Sequence, residues 1–301
     1  MENNLNKISM KKDILYLLEK YNKTSGLFML NNKYVFVEQN LQKYNADGIE
    51  TEFLTLKTSI DIESIENDPT FKKGNYNLII FKSEEVDIEL ENFFKLCQLY
   101  SKNTDYKFKD FFTSLYNIFQ SKKMEKNLNL LGLWGELYVM IYLKNKLNID
   151  SFNFWHIASN DKYDFAFNQY PLEVKTTNSK DKLLTLKHNQ IFNNQEKILA
   201  GVFCENNNSG MSINDLVKVL NKSKQISQNI DFQLKLQQEL IKINQDDMEK
   251  VKFKLNEIKF FNSKELPTIA SIPENVLNII YQYSCENLNT LSDSVIKNML
   301  S

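Results

Sequence analysis

Three carboxylates and one lysine stand near the middle of the chain, namely Glu136, Asp164, Glu173 and Lys175. If folding brings them together, the carboxylates supply the oxygen ligands that Mg²⁺ prefers. A bound divalent cation polarises a phosphate and lowers the pKa of a bound water, and a lysine stabilises charge that develops on the phosphate. These residue types therefore suit the hydrolysis of a phosphodiester bond.

The first carboxylate lies in a segment that is predicted to form a buried helix, residues 128–147. Apolar residues occur around most of the helix surface, which is typical of a helix without a solvent-exposed face. Glu136 shares a face with Leu133 and Met140, and a buried carboxylate is costly unless it is paired or binds a metal. An ion pair with a lysine at the helix rim is the alternative role for Glu136.

The other three residues lie on two predicted strands, 163–168 and 171–177, which are joined by a short turn. Side chains alternate between the two faces of a strand, so Glu173 and Lys175 share one face. Pairing of the strands places Asp164 on that face as well. A solvent-exposed sheet face would give the same alternation, but the combined order of helix Glu, hairpin Asp and Glu-x-Lys favours a site.

This order occurs in three short segments, Gly132–Leu137, Tyr163–Phe165 and Leu172–Thr177. It resembles the PD-(D/E)XK nuclease superfamily, which has the restriction-endonuclease-like fold. It looks most like an uncharacterised branch associated with restriction–modification and phage-defence loci. One departure is that Tyr163 stands where the family motif has a proline before the aspartate. Asp161 is a nearby alternative to Asp164 as the metal ligand.

The resemblance implies a metal centre with assigned ligands. Asp164 and Glu173 would bind Mg²⁺, for which Mn²⁺ would substitute, and the carbonyl of Val174 would be a further ligand. Glu136 would hold a metal-bound water, a second metal or the catalytic lysine.

The resemblance also implies residues that act on the phosphate and on DNA. Lys175 would orient the attacking water or stabilise the transition state. Gln190 would contact DNA or a water of the site, unless it is a surface residue at the start of a helix. Lys180, Lys182 and Lys187 form a basic cluster beside the site, which suits phosphates but is equally typical of a solvated loop.

The whole chain is predicted to have an α/β (α+β) fold with a restriction-endonuclease-like core. Residues 1–122 form an N-terminal module that is rich in β-strands and binds DNA or a partner. Residues 123–205 form the nuclease core, a mixed sheet flanked by helices. Residues 206–301 form a mostly helical C-terminal region that packs on the core or mediates assembly. Helices are also predicted at 10–21 and at 273–283.

Composition narrows the compartment and the kind of DNA contact. The chain has 301 residues, 42% of them hydrophobic, which is enough for a sizeable core. Three well-separated cysteines, no apolar stretch long enough to span a membrane and no signal-peptide pattern predict a cytoplasmic protein. All 37 basic residues are lysines, which excludes the bidentate contact of arginine with guanine. Phosphate contacts must therefore come from lysines, backbone N–H groups and amides.

The sequence thus predicts a Mg²⁺-dependent DNA endonuclease of a bacterial restriction or anti-phage system. Its predicted partners are DNA, a companion ATPase/helicase or methyltransferase, and a second copy in a homodimer. Two alternatives stay open. One is a catalytically idle, nuclease-like DNA-binding or scaffolding subunit, which the complete set of site residues disfavours. The other is a metal-dependent enzyme that acts on RNA or tRNA.

Overall fold

A computed structural model of the protein describes residues 15–62, 65–66, 71–83, 88–103, 105–121, 130–156, 163–188, 195–269, 274–276 and 278–301. The chain divides into two compact units. The first comprises Met1–Met124 and Gln228–Ile241, and the second comprises Glu125–Ser227 and Lys242–Ser301. The functional division into three parts, given above, stays a prediction.

The described strands and helices alternate in a mixed order along the chain. The strands are β1 (Leu15–Lys20), β2 (Ser25–Leu30), β3 (Lys33–Gln39), β4 (Asp47–Glu50), β5 (Leu54–Ile62), β6 (Ile65–Glu66), β7 (Gly74–Phe81), β8 (Leu172–Thr177), β9 (Leu183–Lys187), β10 (Ile198–Met211), β11 (Phe253–Asn262) and β12 (Ile280–Ser284). The helices are α1 (Ile88–Tyr100), α2 (Phe108–Ser121), α3 (Leu130–Tyr142), α4 (Ile213–Asn221), α5 (Lys224–Ser227), α6 (Ile230–Leu240), α7 (Gln245–Lys250) and α8 (Asp293–Leu300).

The first unit is built on a seven-stranded sheet in the order β4-β5-β7-β3-β2-β1-β6. Alternation along β3 sends Phe36 to one face, where α1, α2 and α6 contribute to its apolar cluster, and sends Val35 and Val37 to the other. A turn at Asn31 and Asn32 joins β2 to β3, and these residues have φ angles of 49° and 60°. Asparagine tolerates this left-handed backbone, which two-residue hairpin turns require.

The helix predicted at 10–21 is wrong for its described part, because Leu15–Lys20 forms strand β1. β1 pairs with β2 in an antiparallel ladder. Leu15 is buried and Leu17 packs beside it in the same apolar cluster, whereas Tyr16 and Leu18 are exposed. Alternation of buried and exposed residues with a period of two is typical of a half-buried strand. Pairing with β2 favours this strand over the helix that the local sequence indicated.

The second unit contains a mixed three-stranded sheet in the order β11-β10-β8, in which β8 and β10 are parallel and β10 and β11 antiparallel. β9 and β12 form a separate antiparallel pair. The predicted α/β (α+β) class, with a mixed sheet flanked by helices, is confirmed. The predicted strand at 163–168 is reduced to Phe165, which pairs with Leu172 on one side and with Trp155 on the other.

The C-terminal region contains the helices α4 to α8 but also two strands that were not predicted, β11 and β12. β11 alternates buried Phe253 with exposed Lys254, and it pairs along most of β10. β12 replaces the end of the helix predicted at 273–283, because residues 280–284 pair with β9. Among the described residues, no helix is both long and apolar enough to cross a membrane.

Candidate metal and phosphodiester site

A glycine allows α3 to lie directly against β8. A Cβ atom on Gly135 would stand 1.7 Å from Oγ1 of Thr176 and 2.9 Å from its Cβ, far closer than real contacts allow. Gly135 therefore accounts for the close approach of the helix to the strand. The next residue of the helix, Glu136, therefore lies close to the strand that holds Glu173 and Lys175.

The turn between the two predicted strands brings Asp164 to β8. Phe165 and Leu172 exchange both backbone hydrogen bonds, with N···O distances of 3.0 and 2.9 Å. The carboxylate of Asp164 then accepts a hydrogen bond from the backbone N–H of Val174 at 2.6 Å. The second strand is thus anchored by a side chain where the predicted ladder ends.

Alternation along β8 places Glu173 and Lys175 side by side, as predicted. Nζ of Lys175 lies 2.5 Å from Oε1 of Glu173. The carboxylate is almost fully buried, whereas the lysine side chain is 25% exposed. The lysine therefore reaches solvent, and hence any bound substrate, while its charge is held by a buried partner.

Burial and crowding of like charge both act on the site carboxylates. Burial raises the pKa of Asp164 well above its ordinary value, and the negative charges of Glu136 and Glu173 raise it further. The N–H of Val174 and the charge of Lys175 oppose this rise. Burial also raises the pKa of Glu173, against the lowering effect of Lys175. The cluster therefore has a surplus of negative charge that a cation would relieve.

Two residues that the sequence analysis did not assign to the site contact Glu136. Nε1 of Trp155 donates to Oε2 of Glu136 at 2.9 Å, and Nε2 of His156 lies 2.9 Å from the same oxygen. Ligand atoms of Glu136, His156 and Asp164 all lie within 4.8 Å of one another. The sequence signal was the pair Trp155-His156 shortly before Asp164, but its pairing with Phe165 could not be read from spacing.

A second lysine, also missed, is completely buried beside the site. Nζ of Lys197 lies 4.8 Å from the centre of the Tyr163 ring and 3.5 Å from its hydroxyl oxygen. Its positive charge opposes the rise in the pKa of Glu173 that burial causes. Lys197 immediately precedes β10, and a lysine before a strand ordinarily indicates a solvated position, so sequence alone gave no sign of burial.

The remaining predicted residues divide between described and undescribed parts of the chain. Gln190 and the alternative ligand Asp161 lie outside the described residues. Within the predicted basic cluster, Lys182 forms an ion pair with Glu257 at 2.5 Å. The carbonyl of Val174 as a metal ligand stays a prediction.

The donor set fits a divalent cation. Ligand atoms of Glu136, His156 and Asp164 lie together, and the charge of Glu173 acts on Asp164. Carboxylate oxygens suit Mg²⁺ and Mn²⁺, and an imidazole nitrogen also binds transition-metal ions. Asp164, Glu173 and Glu136 would hold the ion. Like charges that are costly side by side become mutually compatible once a cation lies between them.

Comparison with known proteins gives one match. A family model described as "Putative PD-(D/E)XK family member, (DUF4420)" matches residues 107–286, more than half of the chain. The matched range contains all the site residues described above. It agrees with the superfamily resemblance that the motif indicated. No curated protein and no solved structure matches significantly.

Proposed function

Because the chain belongs to this PD-(D/E)XK family, we propose that it is a metal-dependent DNA endonuclease that hydrolyses phosphodiester bonds. The observation that carries the proposal is the cluster of Glu136, Asp164 and buried Glu173, in which Nζ of Lys175 lies 2.5 Å from Oε1 of Glu173. Family membership points to a nuclease and implies DNA as the substrate. Divalent metal use is general in the family, and Mg²⁺ is our choice because most of the donors are oxygens.

The residues of the site divide the work of hydrolysis. A bound divalent cation would polarise the scissile phosphate and lower the pKa of a water. Asp164 and Glu173 would hold the cation, and the Val174 carbonyl would be a further ligand. Lys175, partly exposed at the site, orients the water or stabilises the negative charge of the transition state.

Glu136 and Gln190 have supporting roles in this proposal. Trp155 and His156 fix the carboxylate of Glu136 so that it faces the site. Gln190 contacts DNA or a water of the site. A fixed constellation of this kind lowers the barrier because few groups need to reorganise during the reaction.

The biological setting rests on the motif resemblance alone. We propose a restriction or anti-phage system in the bacterial cytoplasm, with a companion ATPase/helicase or methyltransferase. A double-strand cut by a chain with one site favours a homodimer, since two copies would present one site to each strand.

The test is cleavage of plasmid and phage DNA, methylated and unmethylated, with Mg²⁺, with Mn²⁺ and with a chelator. Glu173→Gln and Lys175→Met remove one group each, and Glu38→Gln is the matched control because Glu38 is a half-buried carboxylate of the other unit with a raised pKa. We expect metal-dependent cleavage by the wild type and the control, and none by the two site variants.

Three other results would each redirect the proposal. Cleavage that survives both site substitutions would place the active centre elsewhere. DNA binding without cleavage under every metal condition would favour the idle scaffolding subunit. Cleavage of RNA or tRNA but not DNA would assign the same chemistry to another substrate.

A further inference from the structure

The carboxylate of Glu136 meets a histidine that the predicted metal ligands did not include. Nε2 of His156 lies 2.9 Å from Oε2 of Glu136, and Asp164 offers an oxygen within 4.8 Å of both residues' ligand atoms. We propose that Glu136, His156 and Asp164 bind a divalent cation in a position of their own, and that the imidazole makes this position prefer Mn²⁺, Co²⁺ or Zn²⁺ to Mg²⁺. This inference rests on the proposed metal-dependent function.

The distance between the two donor atoms suits a shared ion. Two ligands at about 2.1 Å from one ion, at right angles to each other, are about 3.0 Å apart. The donors of Glu136 and His156 are 2.9 Å apart. In the metal-free protein a hydrogen bond holds the same pair. A cation would therefore take the place of the proton without requiring the side chains to move far.

The backbone fixes His156 relative to Asp164. The N–H of His156 donates to the carbonyl of Asp164 at 3.2 Å, next to the pairing of Trp155 with Phe165. The φ angle of His156 is 43°, a left-handed conformation that is uncommon for residues other than glycine. The pairing holds this conformation in place, so two ligands are presented from adjacent, hydrogen-bonded segments.

Trp155 acts on the orientation of the carboxylate. Its Nε1 donates at 2.9 Å to the same oxygen of Glu136 that faces His156. A carboxylate oxygen has two lone pairs, so one can accept from the indole while the other faces an ion. Donors of this kind orient metal ligands and raise affinity. The His156 side chain is 32% exposed, which gives an ion access from solvent.

The two positions differ in donor chemistry. Imidazole nitrogen binds Zn²⁺ and Co²⁺ well and Mn²⁺ more readily than Mg²⁺, because Mg²⁺ prefers oxygen ligands and retains several waters. The position at Asp164 and Glu173 offers oxygen alone and suits Mg²⁺. Asp164 belongs to both positions, and a pair of ions acting on the two sides of a phosphate is a known strategy for its hydrolysis.

Calorimetric titration of the metal-free protein with MnCl₂, ZnCl₂ and MgCl₂, without DNA, tests the proposal. His156→Gln keeps a side chain that can donate to Glu136 but removes the imidazole. His156→Asn is the second variant, because asparagine better tolerates a left-handed backbone. His188→Gln is the matched control, since the chain has two histidines and His188 pairs with Tyr281 at 2.7 Å.

We expect the wild type and His188→Gln to bind two Mn²⁺ ions. Both His156 variants should lose one of these ions or bind it at least about tenfold more weakly, while Mg²⁺ binding changes less. The proposal would be overturned if either folded His156 variant bound Mn²⁺ and Zn²⁺ as tightly, and in the same number, as the wild type. His156 would then only form a hydrogen bond with Glu136.

The titration separates this inference from the nuclease proposal. A His156-dependent second ion in a protein that cleaves no nucleic acid would support the metal position and contradict the nuclease. Cleavage that needs Lys175, together with metal binding that is indifferent to His156, would contradict the metal position and leave the nuclease standing.

Discussion

Among the described residues, both units hold carboxylates that are shielded from solvent, and the second unit also crowds them together. In the first unit Glu38 has a pKa raised to about 7 by burial, and the hydroxyl of Tyr100 donates to it at 3.1 Å. In the second unit Glu173 is buried and Asp164 is half-buried, and the charge of Glu136 acts on both. Burial raises the pKa in both places, so burial alone does not identify a site. The crowding of like charge around a partly exposed lysine is the feature that distinguishes the second unit.

The difference lies in how each region can become neutral. A half-buried carboxylate such as Glu38, which accepts a hydrogen bond from Tyr100, can become neutral by taking up a proton. The cluster at Asp164 instead includes Lys175, Lys197 and His156, which are groups that balance or share charge. The first arrangement is sufficient for a structural group, and the second is suited to a cation and a phosphate.

The largest expected effect comes from Lys175→Met. Cleavage should fall by at least about 10²–10³-fold, because the charge that stabilises the transition state is lost. The free energy of unfolding should fall by about 1–3 kcal/mol, since buried Glu173 loses its ion pair with Lys175. Added Mg²⁺ should recover part of the stability but none of the activity. Plasmid cleavage and denaturant unfolding measure the two effects.

The control for this change is Lys297→Met, on the exposed side of α8. It should alter neither quantity appreciably. Equal losses of stability in the two lysine variants would mean that the Glu173 pair is no different from a surface charge.

The second effect concerns the pH dependence of stability through Glu38. Its pKa is raised from 4.5 to about 7, so the folded protein binds the proton more tightly than the unfolded chain does. The Glu38 contribution is therefore full below pH 4.5 and is lost as the pH rises to about 7. Glu38→Gln should raise the free energy of unfolding at pH 8 by at most about 3 kcal/mol, and by much less at pH 4.

Urea unfolding of both proteins across this range, with and without Mg²⁺, separates the two units. Mg²⁺ should leave the Glu38→Gln difference unchanged, because Glu38 is not a metal ligand in this account. If the difference disappeared on adding Mg²⁺, Glu38 would contribute to metal binding, and the proposed distinction between the two units would be wrong.

The third effect tests the contact of α3 with β8. Gly135→Ala should lower the free energy of unfolding by about 1–3 kcal/mol, because the new Cβ would overlap Thr176. It should also weaken cleavage by displacing Glu136. Gly48→Ala is the matched control, since its Cβ would stand 3.8 Å from the nearest atom, an ordinary contact. Equal unfolding midpoints for the two variants would show that α3 does not approach β8 so closely.

The smallest effect is that of Tyr100→Phe. Loss of the hydroxyl removes the donor to Glu38 and should lower the free energy of unfolding at pH 8 by about 1 kcal/mol. The pKa of Glu38 should rise further, because its charged form loses a hydrogen bond. The same substitution made in Glu38→Gln should be less costly, and a double-mutant cycle measures the difference. Additive effects would mean that the two groups do not interact.

Local patterns predicted the parts of the fold in which neighbouring residues decide the outcome. Two adjacent asparagines, at 31 and 32, are typical of the hairpin turn observed there, and the spacing of Ser212 and Asp215 is typical of the capping box observed before α4. The alternation in β8 indicated that Glu173 and Lys175 share a face. In each case the determining residues are within a few positions of one another.

Distant partners decide the features that were missed. β1 becomes a strand through its pairing with β2, and His156 reaches Glu136 because Trp155 pairs with Phe165. Lys197 is buried by the packing around it, although its type and position indicate a surface residue. The spacing of residues along the sequence does not reveal such pairings. Trp155, His156 and Lys197 were therefore missed, although the carboxylates and the lysine of the motif were selected.

The most direct test of the central claim is a calorimetric titration with Mg²⁺ and Mn²⁺ of the wild type, Asp164→Asn and Glu38→Gln. The crowded carboxylates of the second unit, and not the lone one of the first, should form the cation site. We predict binding by the wild type and Glu38→Gln and its loss in Asp164→Asn. Undiminished binding by Asp164→Asn, or no binding by the wild type, would contradict the account.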